Sequence, residues 1–473
     1  MLLSEVKKNL SIIKTLYFKD KIIFNKISST SKDLDKKTIL IVSSKKKISN
    51  KYLKEAIKKK IPAILSDKVL SNIPITQIIV KNISKEKQKL LNYIKPYKPS
   101  NIIAVTGTNG KTSVAWYISE ICRLNNINVK MQGTLGYFIN GKKIREYELT
   151  TPDYETLYQN SYTKNKNNYT FVFEASSHSL HQNRLGSIPV NIAAITNISH
   201  DHLDYHKSFT NYKNSKFKLF KKYLNHDGCA VVNSNLKNTK KLINILKKRN
   251  LKKIEYGNKG IFFKEINSKS YLIVNKKKFE LKKIFFSKIE KENLLCAISC
   301  CLQINIKIKS IINILNKIKS PPGRLQVFNL RKNHSKVVVD YAHTPDALKN
   351  ILLTFTENNK KPSLVFGCGG DRDKEKRKLM GQIANSFASK VYVTDDNPRN
   401  ETPSSIRKAI LKYCKKGEEI ANRKNAIKKS IQNLKNNSIL IISGKGHEKY
   451  QIIKNKYLKF DDAKTVKQII NKI

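Results

Sequence analysis

Short runs of Ile, Val and Phe recur along this chain, and each is closed by a polar or glycine-rich stretch. Before residue 100, Thr38-Ile-Leu-Ile-Val-Ser43 and Ile61-Pro-Ala-Ile-Leu65 read as strands, and residues 52–60 between them are spaced as a helix. Further strands are predicted at residues 102–106, 169–174, 190–197 and 229–233, with helical stretches between them. A last set follows at 336–340, 364–366, 390–394 and 438–443. Short apolar runs alternating with helices predict an α/β protein with mostly parallel sheets. Pro96-Tyr-Lys-Pro99 and Ser320-Pro-Pro-Gly-Arg324 read as linkers. Three domains are therefore expected: a small N-terminal α/β unit over 1–98, a central doubly wound sheet over 99–320, and a second open α/β sheet over 321–473.

The run at 102–106 leads into Gly107-Thr-Asn-Gly-Lys-Thr-Ser113, and a helical pattern follows with Val114, Tyr117, Ile118 and Ile121. A strand, a glycine turn and a helix N-terminus offer an anion free N–H groups and the positive end of a dipole. Lys111 can reach terminal phosphates, and the hydroxyl of Thr112 or Ser113 can bind Mg²⁺. Val105 stands where the general phosphate loop has its first glycine. A plain tight turn is the competing reading.

Composition changes this picture little. The net charge of +58 would suit nucleic acid, but lysine is scattered through every segment, and Asn and Ile are abundant beside it. All three have A/T-rich codons, so compositional drift is preferred to polyanion binding. The charge still draws in anionic substrates. Seven cysteines, odd in number and without a CxxC pair, predict reduced thiols, with Cys300 and Cys301 on the buried side of a helix. No apolar run approaches the ~20 residues that span a bilayer. The N-terminus lacks the pattern of a signal peptide, so a cytoplasmic protein without membrane contact is expected.

Polar clusters follow the predicted strands, where open α/β sheets gather ligands. Glu174-Ala-Ser-Ser-His-Ser-Leu180 and Asn197-Ile-Ser-His-Asp-His-Leu-Asp-Tyr-His206 could supply oxygen and nitrogen ligands to Mg²⁺ at the phosphates. Their histidines fit no zinc spacing, and structural roles as caps are the alternative. Four more clusters begin at Asp340, Gly367, Asp395 and Gly444.

In order and spacing these motifs resemble the Mur ligases and, among them, the tripeptide synthetases of the meso-diaminopimelate-adding type. The matching segments are GTNGKTS (107–113), TTPD (150–153), EASSHSLHQNR (174–184), NISHDHLDYH (197–206), PPGRLQ (321–326), DYAHTPDAL (340–348), GCGGDRDKEKR (367–377), DDNPR (395–399) and GKGHEKYQ (444–451). The family's phosphate loop lacks the extra glycine, which accounts for Val105. The resemblance implies a UDP-binding first domain, a central ATPase domain and a Rossmann-like C-terminal domain for the incoming amino acid. It also implies an ATP-dependent amide ligase joining UDP-MurNAc-L-Ala-D-Glu to meso-diaminopimelate through an acyl phosphate, with Mg²⁺ as cofactor. A monomer is the expected state.

Carried over by position, Gly107, Thr108, Asn109, Gly110, Lys111, Thr112 and Ser113 would hold the ATP phosphates. Asn293, Arg324, Asp340 and His343 would contact the nucleotide from the hinge and third domain. Glu174 and His202, with Thr112, match Mg²⁺ ligands. Lys216 matches the family lysine that takes up CO₂ as a carbamate and so becomes an anionic metal ligand. Thr150, Thr151, Ser176, Gln182 and Arg184 match positions that hold the muramoyl dipeptide, and Ser31 a uridine-site serine. Arg372, Asp396, Asn397, Pro398, Arg399, Gly444 and Glu448 match the diamino-acid pocket, where the arginines would meet carboxylates and Glu448 an ammonium. The intact DNPR favours diaminopimelate over L-lysine.

The first domain departs from the pattern. Thr30 and Lys32 flank Ser31 where an aspartate and an arginine are usual, residues 43–49 lack the expected glycines, and Ser287 to Glu292 replace the family's residues before Asn293. Three alternatives remain: another member of the superfamily such as a lysine-adding or folylpolyglutamate-type ligase, a nucleic-acid-binding P-loop NTPase, and a non-catalytic relative.

Overall fold

The computed structural model describes residues 1–30, 34–44, 50–237, 239–267, 269–281, 287–356 and 360–472. Its largest sheet is built on the strand Asn101–Thr106, which pairs in parallel with Thr170–Glu174 on one side and Val190–Ile195 on the other. Leu224–Asn233 and Lys252–Tyr256 extend it one way, Val129–Gly133 the other, all parallel. Gly136–Ile139 and Lys142–Arg145 close one edge antiparallel, giving eight strands. The predicted central strands are all present. The missed ones include the exposed edge strands Lys142–Arg145 and Lys252–Tyr256, which carry lysine and lose the continuous apolar signal. They also include the buried Val129–Gly133 and Gly136–Ile139, whose apolar runs are short and broken by Lys130, Gln132 and glycine.

Both faces of this sheet are covered, as its apolar strands require. The helix Lys111–Leu124 buries Val114, Tyr117, Ile118 and Ile121 against one face, and Lys288–Leu302 packs beside it. Cys300 and Cys301 do lie on the buried side of that second helix. All seven cysteines are buried free thiols. The other face shares a core with the first unit, whose five-stranded sheet runs Ile12–Leu16, Thr76–Val80, Ala63–Ser66, Thr38–Val42, Lys26–Ser28. Only Ile12–Leu16 is antiparallel there. The helix Ile83–Ile94 docks on the helix Tyr154–Ser161 through a polar ladder: Lys87 on Glu155, Gln88 on Tyr154, Asn92 on Tyr158, and the Lys95 amine on the Gln159 carbonyl.

The third unit is a six-stranded sheet in the order Gln326–Leu330, Ser335–Asp340, Ile439–Ser443, Ser363–Phe366, Val391–Val393, Gly417–Glu419, parallel except for the first strand. Beneath it Arg423, wholly buried, meets Asp462 in a two-pronged ion pair at 2.8 and 2.7 Å and donates to the Ser443 carbonyl at 2.9 Å. A three-stranded antiparallel sheet over Phe262–Ile266, Lys269–Val274 and Lys277–Leu281 and a hairpin of Tyr450–Ile453 with Lys456–Lys459 complete the strands. Among the described residues no helix is long and apolar enough to cross a membrane.

Candidate active site

The strand Asn101–Thr106 ends in a tight loop whose shape demands glycine twice. Gly107 and Gly110 have φ of +148° and +85°, and a Cβ on either would strike Thr196 Oγ1 at 1.8 Å or Asn293 Oδ1 at 2.3 Å. The loop is pinned from the next strand end. Asn197 accepts from the Thr108 and Asn109 N–H groups at 2.8 and 2.9 Å, and the Thr196 hydroxyl donates to the Asn109 carbonyl at 2.6 Å. The Thr108 hydroxyl meets Tyr212 at 2.9 Å.

Two lysines converge on this loop. Lys111, half-buried, donates to the carbonyls of Gly107 and Thr108 at 2.9 and 2.8 Å. Lys216, from the helix Phe209–Lys218, is fully buried and donates to the same Gly107 carbonyl at 2.7 Å. Burial lowers both amines below the usual lysine range. For Lys216 the drop is large and Lys111 adds to it, while Asp201 pulls the other way. Glu174, at the end of its strand, accepts from the Thr112 hydroxyl at 2.9 Å and from the Thr134 N–H and hydroxyl at 2.8 and 3.1 Å. His202 stands at φ +53° beside Asp201, with its ring 4.8 Å from that of His178. Desolvation lowers the basicity of both imidazoles, for His178 to about 4.

These groups line one cleft of about 330 Å³ together with Thr150, Ser176, Arg184, Arg324, His343 and Arg372. Thr151 forms the wall behind it, donating to the Glu174 carbonyl at 2.6 Å. Arg184 donates to the Thr151 carbonyl at 2.9 Å and to Gln182 at 2.8 Å. A smaller adjoining pocket of about 120 Å³ is lined by Gly110, Ser113, Asn293, Arg324, Asp340 and His343. The third unit thus closes over the loop. Arg324 reaches Thr112 at 3.4 Å and stacks on Tyr341, and Asn109 reaches Thr344 at 3.4 Å. Asp340 accepts from the Leu325 and Ala342 N–H groups at 2.8 and 2.7 Å, and the buried His343 ring is pushed down to about 3 by desolvation and Lys376.

A third cluster lies at the strand ends of the last sheet. Asn397 donates to Glu448 at 2.9 Å. Gly444, at φ +115°, lets the Asp396 carboxylate come within 2.9 Å of where a Cβ would sit. Arg399 stands in the left-handed region at φ +51°, held by its N–H on Ile452 and by Lys454 on its carbonyl. Its guanidinium donates to the Gly370 carbonyl at 2.8 Å, and Arg372 lies across Gly369 from it. Pro398 packs its carbonyl against Gly370.

Comparison with known proteins interprets this arrangement. Residues 105–301 match the Mur ligase middle domain and residues 323–446 the Mur ligase glutamate ligase domain. A protein of Rickettsia montanensis named UDP-N-acetylmuramoyl-L-alanyl-D-glutamate–2,6-diaminopimelate ligase is 38% identical over 459 residues, covering 94% of each chain. The chain belongs to the Mur ligase family. A like-named protein of Buchnera aphidicola is 35% identical over 94% of this chain and 93% of its own. Among solved structures, a UDP-N-acetylmuramoyl-L-alanyl-D-glutamate–2,6-diaminopimelate ligase superposes with TM-score 0.62 at 28% identity, covering 100% of this chain and 99% of the other. The MurF ligase of Thermotoga maritima in complex with ADP, 15% identical over 96% of this chain and 99% of its own with TM-score 0.67, shares the fold.

Against the Mur ligase motifs, the structure gathers the phosphate-loop, metal and nucleotide candidates around two adjoining cavities and sets the diamino-acid candidates in a neighbouring cluster, from which Arg372 also reaches the main cleft. Gln182 stands at the rim through Arg184 and Tyr205. Ser31 lies outside the described residues. Thr134, Asp201, Tyr212 and Tyr341 also line the main cleft, and sequence reading assigned none of them a role of its own, although Asp201 and Tyr341 fall inside the motifs at 197–206 and 340–348. Thr134 and Tyr212 lie outside those motifs, and a hydroxyl or a ring carries no signal until its neighbours are known. A separate cavity of about 400 Å³, lined by Lys26, Lys95, Arg145 and Lys164, contains none of the motif residues.

Proposed function

We propose that this chain is an ATP-dependent ligase joining meso-2,6-diaminopimelate to the D-glutamyl carboxylate of UDP-N-acetylmuramoyl-L-alanyl-D-glutamate, a step in peptidoglycan precursor synthesis. The observation that carries the reading is the loop Asp396-Asn-Pro-Arg399, locked to Glu448 and presenting an arginine, on the unit that closes over a phosphate loop. The names of the relatives agree with it. A carboxylate oxygen attacks the γ-phosphorus and ADP leaves. The substrate amine then attacks the acyl carbonyl, loses a proton, and phosphate leaves. A carboxylate meeting a polyphosphate is an encounter of anions, so catalysis here is positioning and charge neutralisation.

The residues fit those tasks. The loop over 107–113 offers its N–H groups at a helix N-terminus, and Lys111 lies along it where β- and γ-phosphate oxygens would rest. Asn293, Arg324, Asp340 and His343 line the smaller pocket as nucleotide contacts. Thr150, Thr151, Ser176, Gln182 and Arg184 form the wall for the muramoyl dipeptide, and Arg184 supplies the cation its carboxylates need. By its motif position alone, Ser31 is assigned to the uridine. Arg372 and Arg399 can take substrate carboxylates, and two-pronged pairing would suit either guanidinium.

The donor set also suits Mg²⁺: a carboxylate and hydroxyls, hard oxygen donors, face one cleft in Glu174, Thr112 and Thr134. Glu174, Thr112, His202 and a carbamate on Lys216 would hold it, and the bound ion would neutralise phosphate charge. Lys216 is suited to carbamate formation because its buried amine is biased to the neutral, nucleophilic form. Isotope-labelled bicarbonate is expected to give a carbamate resonance in the wild type and none in Lys216→Met. A labelled signal persisting in the variant would remove this role.

Phosphate release with ATP, Mg²⁺ and the UDP-dipeptide tests the whole reading, with meso-diaminopimelate or L-lysine offered in parallel. Release that requires both substrates and runs faster with diaminopimelate is expected. Preference for lysine would overturn the specificity, and release stimulated by nucleic acid alone would overturn the ligase.

A further inference from the structure

Lys445 lies between the two glycines of Gly444-Lys-Gly446, and neither the motif comparison nor the reaction above gives it a part. Its side chain is wholly buried. An ammonium withdrawn from water is costly unless oxygen atoms take the place of the lost solvent. Here Nζ donates to Asn397 Oδ1 at 3.0 Å and Glu448 Oε2 at 3.1 Å, and it lies 3.6 Å from Asp396 Oδ1. These partners come from two loops. Asp396 and Asn397 follow the strand Val391–Val393, while Lys445 and Glu448 follow Ile439–Ser443. The strand Ser363–Phe366 separates the two in the sheet, so the lysine ties together loops that are not neighbours.

Asn397 is the joint of the arrangement. Its amide oxygen accepts from Lys445 and from the Ile452 N–H at 3.0 Å, which turns its NH₂ toward Glu448. The charges can also be counted. Asp396 and Glu448 contribute two carboxylates and Lys445 one ammonium, and the buried Arg423 beneath them is matched by Asp462. Among these five side chains one negative charge is left over, the complement of a single substrate ammonium, while the Arg399 guanidinium of the same cluster is left to a substrate carboxylate.

Building on the proposed ligase reading, we infer that Lys445 is a positioning residue for the incoming amino acid: it fixes Asp396, Asn397 and Glu448 as one cradle with the charge to take one ammonium. Lys445 touches no reacting atom and acts through Glu448 and Asn397. Without it, two carboxylates share a buried cradle with no counter-charge and separate, and the substrate ammonium loses a preformed acceptor.

Steady-state kinetics of Lys445→Met and Lys445→Gln test this, the second variant keeping a hydrogen-bond donor without the charge. Both are expected to raise the KM for diaminopimelate by about tenfold or more while the KM for ATP and kcat stay within about threefold. The ATP constants also report whether each variant has folded. The double variant Lys445→Met with Glu448→Gln is expected to raise that KM no more than the worse single change, because the two residues act as one unit. Additive effects, or a diaminopimelate KM unchanged in both single variants, would overturn the role of Lys445. A wild-type enzyme that accepts no diamino acid would instead overturn the reading of the pocket.

Discussion

Lys111→Met is expected to lower kcat by about 10²–10³-fold or more, the loss typical of removing one preorganised donor at a site of developing charge. The ammonium lies against the Gly107 and Thr108 carbonyls at the N-terminus of the helix Lys111–Leu124, where the proposed reading puts the phosphates. In the proposed reaction it is the cation that counters the charge building as a carboxylate approaches the γ-phosphate. The loop itself is held by Asn197, Thr196 and Tyr212, so its shape should survive the substitution. Lys111 also crowds Lys216, and burial depresses both amines, so its removal should leave the melting temperature unchanged or raise it. Phosphate release and thermal denaturation measured on one preparation separate the two effects. Near-normal kcat in a folded Lys111→Met protein would show that the phosphates bind elsewhere.

Arg399→Ala is expected to raise the KM for diaminopimelate while leaving the KM for ATP alone. Truncating one partner of a close charge pair costs about 2–5 kcal/mol, or roughly 30- to several-thousand-fold in affinity. Arg399 is set for that pairing by its backbone. The left-handed turn at φ +51° is held by hydrogen bonds to Ile452 and Lys454, and one guanidinium nitrogen is anchored on the Gly370 carbonyl. Holding a non-glycine residue there costs on the order of 1 kcal/mol or more, and such strain gathers at functional sites. Arg399→Lys keeps the charge but not the planar fork and should fall between the wild type and alanine. A loss confined to ATP binding would remove Arg399 from the amino-acid pocket.

Much of this is legible in the amino-acid sequence. The buried strands at 102–106, 190–197 and 438–443 announced themselves because a parallel strand covered on both faces must be apolar throughout. Gly107 and Gly110 marked a turn that only glycine can make, and Asp396 to Arg399 named a chemistry through its residue types. Edge strands escaped. Lys142–Arg145 is exposed at all four positions, so burial left no imprint on it. Ile12–Leu16 and the hairpin from Tyr450 are likewise only partly covered.

The sequence by itself determined the sheet class, the phosphate loop and the order of the motifs, since each depends on burial and backbone freedom over a few neighbouring residues. Tertiary structure alone decided which motifs share a cavity. Thr112 meets Arg324 and Asn109 meets Thr344 across more than two hundred residues, because each of two sheets gathers its strand-end loops at one end and the fold sets those loops against one another. Tertiary structure alone decided that Lys445 joins Asp396, Asn397 and Glu448 in one buried cluster. One lysine among the many in this basic chain becomes distinctive only when folding removes its water and sets Asn397, Glu448 and Asp396 in its place.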